Sequence, residues 1–347
     1  SYNIMPPKKK RKIIKVPSDE DLDYFKIEDY KITDLQSLIK LTYDLKNKPS
    51  PPHHIKIKLP VMLYSLINIL EPLESLNAMI GLDILKQQLL EQIIFFVQGN
   101  NDIVMLHTVN EGPPGTGKTT VANLMAEIYS GIGILKKNKC TIVKRQDLVG
   151  QYLGETTLKT TKMLDKCKNG VMLIDEAYSL GSGNDSSNSD SYAKEALDCI
   201  NQYLTENVDK IICIIAGYKE ELDSCFFSLN PGLRRRFPWT FTINKFTKDE
   251  ITKIILQKID LTNYTLSEDI VKNENEYLKT KVKVESFNGN GGDIESIISR
   301  AKIIYARVNF GKENDFILTK EIVSEAFEKF YNTRIVKDNK PPFMMYS

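Results

Sequence analysis

Histidine is nearly missing from this chain: His53, His54 and His107 are the only 3 in 347 residues. A histidine-rich metal centre, or a hydrolase built on Ser, His and Asp, has little to work with. Cysteine offers no metal framework either. The 5 cysteines, Cys140, Cys167, Cys199, Cys213 and Cys225, lack any C-x-x-C spacing and are odd in number. They fall mostly in text that reads as helix or buried strand and are expected to be reduced core thiols. No uninterrupted apolar run approaches the ~20 residues that span a bilayer, and no signal-like apolar stretch opens the chain. A soluble intracellular protein, of nucleus or cytoplasm and without membrane association, is expected. Charge imbalance is missing too: 47 Lys and Arg against 45 Asp and Glu leave a formal charge of +2. Global electrostatics therefore give nucleic acid no support, although the N-terminal basic cluster keeps it open. There is no internal repeat.

What is present is ordinary apolar content, 41% of the chain, enough to bury one large core or two moderate ones. Residues 1–18 carry Pro6-Pro7-Lys8-Lys9-Lys10-Arg11-Lys12 with almost nothing to bury, which predicts a disordered basic tail. The run resembles a nuclear import signal, and a solvated lysine run reads the same way. Met5 reads as a native start, with Ser1 to Ile4 a remnant ahead of it. Residues 19–75 read as a helical N-terminal extension, interrupted at Pro49-Ser50-Pro51-Pro52 where backbone donors are lost. Leu82, Leu85, Leu89, Ile93 and Phe96 recur at helical spacing up to Gly99.

From about 103 to 243, short apolar runs alternate with amphipathic stretches. Ile103 to Val109, Thr141 to Lys144, Val171 to Ile174 and Ile211 to Ala216 read as buried strands, which implies a parallel sheet between helices. Gly181 to Ser191 is rich in Gly, Ser, Asn and Asp and reads as a mobile loop. After 244 helical text dominates: a capping box at Thr247-Lys248-Asp249-Glu250, an amphipathic run at Ile294 to Val308, and another helix at Ile322 to Tyr331. The expected fold class is α/β, with a core over 76–243, a smaller helical domain over 244–332 and a C-terminal tail over 333–347.

Gly112-Pro113-Pro114-Gly115-Thr116-Gly117-Lys118-Thr119 fits G-x-x-x-x-G-K-[ST] between a predicted strand and a helix that opens near Thr119. In such a loop glycines let backbone N–H groups turn around phosphate oxygens, and the helix N-terminus adds a favourable dipole. Lys118 supplies a point charge for the β- and γ-phosphates, and the Thr119 hydroxyl is placed to ligate Mg²⁺. Val171-Met172-Leu173-Ile174 ends in Asp175-Glu176 at a strand tip. Asp175 suits the Mg²⁺ shell, and Glu176 suits orientation and deprotonation of an attacking water.

Five segments in order then resemble AAA+ ATPases, within them the CbbX and stage V sporulation protein K group and similar proteins of large DNA viruses. They are GPPGTGKTT (112–120, ending in Thr120), DLVGQYLGETTLKT (147–160), VMLIDEAYSL (171–180), IIAGYKEELD (214–223) and NPGLRRRFP (230–238). The resemblance implies a P-loop core with a helical lid, binding ATP with Mg²⁺ between them, and a homo-oligomeric ring, most simply a hexamer. It implies that Tyr152 and Leu153 belong to a pore loop that grips a polypeptide in the central channel. One of Arg234, Arg235 and Arg236, with Arg236 favoured, would reach the neighbouring subunit's nucleotide as a catalytic finger. Ile80 and Gly81, with Met79 and Leu82, would line the base. Two departures stand out. Ala216-Gly217-Tyr218-Lys219 lacks the expected Asn, a role open to Tyr218 or Lys219. No arginine stands near Gly292, where the lid would contact the γ-phosphate, which leaves Arg300 as a substitute. The expected function is ATP-driven protein remodelling, with a nucleic-acid motor or loader, or a nucleotide-gated scaffold of little turnover, as alternatives.

Overall fold

The computed structural model describes residues 30–47, 63–99, 104–152, 154–181, 189–272 and 276–338. The basic run at 8–12, the proline-rich interruption, Leu153, most of the 181–191 insertion and residues 339–347 lie outside them.

Before the sheet come α1 (Leu35–Asn47), the single turn α2 (Ser65–Asn68), α3 (Leu70–Ala78) and α4 (Asp83–Val97). The core then alternates: β1 (Thr108–Glu111), α5 (Lys118–Gly131), β2 (Cys140–Val143), α6 (Arg145–Leu148), α7 (Glu155–Cys167), β3 (Val171–Ile174), α8 (Ser189–Glu206), β4 (Ile212–Gly217), α9 (Lys219–Glu221), α10 (Pro231–Arg234) and β5 (Trp239–Thr242). The C-terminal part holds α11 (Lys248–Asp260), β6 (Thr265–Leu266), α12 (Glu268–Val271), α13 (Glu276–Lys281), α14 (Gly291–Val308), β7 (Ile317–Leu318) and α15 (Lys320–Asp338).

The five core strands are parallel in the order β2-β3-β4-β1-β5. Strands buried on both faces need apolar residues at successive positions, as Val171–Ile174 and Ile212–Ala216 have. One face, including Leu173, Ile214 and Phe241, packs under α1, α3, α4 and α5; the other, including Val109, Met172, Ile174 and Ile215, packs under α7, α8 and the 222–237 segment. In α1, Leu35, Leu38, Leu41 and Leu45 recur every three or four residues and join the first cluster. Each such buried side chain contributes about 1.5–3 kcal/mol. A third cluster, built on Ile251, Ile255, Ile294, Ile298, Phe327 and their neighbours, forms the core of the C-terminal helices. Its first helix, α11, is fixed by the capping box: Thr247 Oγ1 accepts from Glu250 N–H, and Glu250 Oε2 accepts from Thr247 N–H at 2.7 Å.

Five details differ from the sequence expectations, one being that α15 continues to Asp338 through the start of the segment expected as a tail from 333. The first strand starts at Thr108, five residues later than the apolar run at 103. β2 is a half-exposed edge strand, with Ile142 47% exposed, because no strand among the described residues pairs beyond it. β5 was not foreseen: only Phe241 of its four residues is buried, so it has no apolar run. The C-terminal part also contains the two-residue pair β6–β7. The five cysteines are free thiols, and burial pushes Cys140 up to about 11. No helix among the described residues is long and apolar enough to cross a membrane.

His107, just before β1, is buried, and its Nδ1 accepts from Cys213 N–H at 3.1 Å. Burial, reinforced by the nearby Arg236 guanidinium, lowers its pKa from 6.5 to about 4. Between those two values the unfolded chain binds the extra proton, so this contribution is complete above pH 6.5 and is lost as pH falls toward 4. The loss should be on the order of 3 kcal/mol. Urea midpoints of wild type and His107→Gln at pH 7.5 and 4.5 check this: the variant should lose visibly less stability on acidification, and equal losses would rule the histidine out.

Candidate functional site

A parallel sheet carries the ends of β1, β3 and β4 to one edge, and there a cleft of about 710 Å³ opens between the sheet and the C-terminal helices. Pro114 to Thr120 form its floor, Asp175, Glu176, Tyr178, Gly217 and Tyr218 one wall, and Ile254, Gln257, Lys258, Leu261, Gly291, Gly292 and Glu295 the wall opposite. Met79, Ile80 and Phe246 make one end apolar.

The floor is the turn after β1. Gly117, at φ +91°, precedes α5, and no side chain caps that helix, so its first N–H groups remain for another acceptor. Lys118 Nζ donates to the carbonyls of Gly112 (2.9 Å) and Pro113 (2.7 Å), which fold the side chain back along the loop. Burial lowers its pKa, while the carboxylates of Asp175 and Glu176 pull the other way. A cation held on backbone carbonyls beside uncapped helix amides suits a polyphosphate.

The two carboxylates come from the tip of β3. On a continuing strand Asp175 and Glu176 would point to opposite faces. Glu176 instead adopts φ +52°, ψ +46°, and this left-handed turn brings both residues to the cleft. Asp175 Oδ1 accepts from Glu176 N–H at 3.1 Å. Arg145 of α6 pins the turn from behind, donating to the Ser179 carbonyl at 3.0 Å and to that of Leu180. Tyr218 lies over the lysine, its ring centre 6.0 Å from Lys118 Nζ and 6.0 Å from the Tyr178 ring centre.

The apolar end is fixed by cations and amides on spare carbonyls. Lys86 of α4 donates to Asn77 O (3.2 Å) and Met79 O (2.6 Å), and Gln257 of α11 donates to Ala78 O (3.0 Å). They satisfy the end of α3 and join the Met79–Ile80 segment to α4 and to the C-terminal wall. On the C-terminal wall Lys258 and Glu295 form an ion pair at 2.6 Å. Asn290 Nδ2 donates to Pro114 O (3.0 Å) and Gly291 N–H to Gly115 O (2.9 Å), so the wall touches the floor directly.

Of the residues singled out in the sequence, Ile80, Pro114, Gly115, Thr116, Gly117, Lys118, Thr119, Thr120, Asp175 and Glu176 line this cleft. Gly112 and Pro113 meet it through their carbonyls on Lys118. Gly81 faces elsewhere: it belongs to an adjoining depression with Thr247 and Glu250, and a Cβ there would lie 2.6 Å from Glu250 Oε1. Tyr218 lines the cleft, but Lys219 and Arg300 do not. The wall residues Gln257, Lys258, Leu261 and Glu295 were not foreseen, because helical text carries no mark of which turn faces a distant loop. Tyr152 stands 69% exposed; the N–H groups of Gln151 and Tyr152 both donate to Glu155 Oε2 at 3.2 Å, tying the loop to α7 and leaving the ring outside. Arg234 pairs with Asp223 (3.1 Å) and lies over the Phe227 ring (4.5 Å). Arg236 Nε donates to Asn201 Oδ1 across a long 3.4 Å. All three arginines lie before β5, toward the opposite ends of the strands from the cleft.

Residues 109–244 match the model of the ATPase family associated with various cellular activities. The chain is 35% identical over 281 residues to a putative cfxQ-like protein, R730, of Acanthamoeba polyphaga mimivirus, covering 80% of this chain and 68% of that protein. It is 35% identical over 199 residues to stage V sporulation protein K of Bacillus subtilis, covering 56% of this chain and 60% of that protein. The fold matches the FIGL-1 AAA domain solved with ADP, at a TM-score of 0.51 and 19% identity over 77% of this chain and 90% of that one.

The cleft makes a first demand on Lys118. Lys118→Ala should weaken ADP binding by about 100-fold or more, the scale of a lost charge-assisted contact to phosphate. Titration calorimetry reads the affinity, and an unchanged constant would remove the lysine from the site.

Proposed function

The chain belongs to the AAA ATPase family, and from that premise we propose that it is an ATP-driven ring motor that remodels or threads a protein substrate. The observation that carries the reading is the convergence of Lys118, Thr119, Asp175 and Glu176 on one cleft beside uncapped helix amides. In this reading the base occupies the apolar end at Met79, Ile80 and Phe246. The triphosphate follows the loop to Lys118, whose charge offsets that of the β- and γ-phosphates.

The Thr119 hydroxyl and the Asp175 carboxylate are hard oxygen donors of low total charge, a set that fits Mg²⁺, which prefers one or two protein oxygens and completes its shell from phosphate and water. When bound, the ion neutralises charge on the transferring phosphoryl group. Glu176 accepts the proton of the attacking water and orients it. Tyr218, stacked over the lysine, closes that side.

The arginines before β5 sit too far round the sheet to serve their own cleft, which supports action on a neighbour in a ring, most simply a hexamer. Arg236 is the finger in this proposal: its Nε bond to Asn201 orients the guanidinium. Such a group is worth about 10³ to 10⁵ in rate in related phosphoryl transfers. Tyr152, with Leu153, is the gripping loop, supported by its outward ring.

Four measurements test this function. ATP turnover per chain should rise with protein concentration, and absence of turnover at every concentration would overturn it. Glu176→Gln should bind ATP but hydrolyse it at least about 100-fold more slowly. Arg236→Ala should slow turnover about 1000-fold, with Arg235→Ala as a milder comparison. Tyr152→Ala should keep basal turnover and lose work on a substrate; normal remodelling by that variant would sink the threading role.

A further inference from the structure

The C-terminal helices touch the phosphate-binding loop through a turn, Gly289-Asn290-Gly291, that carries no cation. Yet the contact is close. The Gly291 N–H and the Asn290 amide take the carbonyls of Gly115 and Pro114 at 2.9 and 3.0 Å. A Cβ on Gly115 would collide with the Gly289 carbonyl, and one on Gly291 would lie 2.6 Å from the Gly115 oxygen. Backbone therefore meets backbone with no side chain between them, and small movements of the turn reach the loop undamped.

Those two carbonyls matter because a peptide unit is planar: fixing C=O fixes the N–H on its other side. The bonds from the turn hold the planes whose N–H groups belong to Gly115 and Thr116, both in the phosphate-binding run. Orientation of the loop's donors thus depends on where the turn sits.

The turn itself is not a relaxed conformation. Asn290 has φ +46° and ψ −111°, outside the regions that a side-chain-bearing residue favours, so its surroundings must hold it. The holding group is Asp293, 6% exposed, whose Oδ2 accepts from the Gly289 N–H at 2.6 Å. Its other oxygen pairs with Arg334, its only ionic partner among the described residues. A carboxylate so buried is costly without a counter-charge. Arg334 in turn lies over the Phe330 ring of the same helix, α15, at 5.4 Å, and Phe330 packs on Phe287 at 5.5 Å, which ties α15 to the segment leading into the turn.

We propose that Asp293 and Arg334 are positioning residues of the ATPase: their ion pair holds the Gly289–Gly291 turn against the phosphate-binding loop, so that helix α15 sets how firmly the cleft grips a nucleotide. The nucleotide part of this proposal rests on the function proposed above, whereas the mechanical part does not. It also accounts for coupling in a lid that has Gly292 where a phosphate-contacting arginine was expected: the cation acts one step removed, through a carboxylate and a peptide N–H.

The test uses the full chain. Amide hydrogen exchange of peptides covering 112–120 and 287–294, without nucleotide, compares wild type with Arg334→Ala, Arg334→Lys and Asp293→Asn. Arg334→Ala should speed exchange in both peptides by about tenfold while a peptide from α8 stays unchanged. ADP should bind it about 5- to 20-fold more weakly, with KM raised more than kcat falls, and Arg334→Lys should recover part of each effect. Asp293→Asn keeps an acceptor for Gly289 and loses the charge, so it gives the same pattern by a second route. Unchanged exchange at 112–120 in folded Arg334→Ala and Asp293→Asn would overturn the proposal, as would loss of protection spread evenly over the chain. If wild type bound no ADP, the nucleotide function would fall while the exchange comparison still decided the latch.

Discussion

Everything at the cleft depends on the parallel sheet delivering several chain segments to one edge. Parallel strands all end on the same side, so the turn after Glu111, the carboxylates after Ile174 and the tyrosine after Gly217 meet although they are far apart in sequence. Helices α5 and α7, crossing back between the strands, lie on opposite faces and keep that edge open. The apolar runs of β3 and β4 are thus the reason Lys118 and Glu176 share a cleft, even though neither run lines it.

Electrostatics then separate two kinds of charge. At the floor, the half-buried Lys118 ammonium faces the carboxylates of Asp175 and Glu176 on the adjoining wall, which offset part of the cost of its burial. On the C-terminal wall the charges are already satisfied by one another, Lys258 by Glu295 and Arg334 by Asp293. The floor is arranged for charge that arrives from outside, and the wall is neutralised from within. That contrast makes the wall a mechanical partner of the floor more than an electrostatic one.

How much of this was legible in the sequence follows from what leaves a local mark. The glycine-rich loop at 112–119 is a contiguous string with fixed spacing, and β3 is an apolar run ended by two acids, so both could be read directly. The capping box at Thr247 and Glu250 was equally local. β5 was illegible because a single inward residue, Phe241, makes no pattern, and β2 was misjudged because an edge position is a property of the sheet and not of the strand. Gln257, Lys258 and Glu295 became site residues only through the docking of one helix cluster on another. The pairing of Asp293 with Arg334 spans 41 residues and two helices, and no spacing rule anticipates it.

The backbone at Glu176 carries a consequence beyond chemistry. A residue with a side chain held at φ +52° is retained against its own conformational preference, and replacement by glycine would relax that turn while deleting the carboxylate. Under the role proposed for Glu176, durability and turnover therefore pull in opposite directions at this position: the sturdier protein would be the idle one.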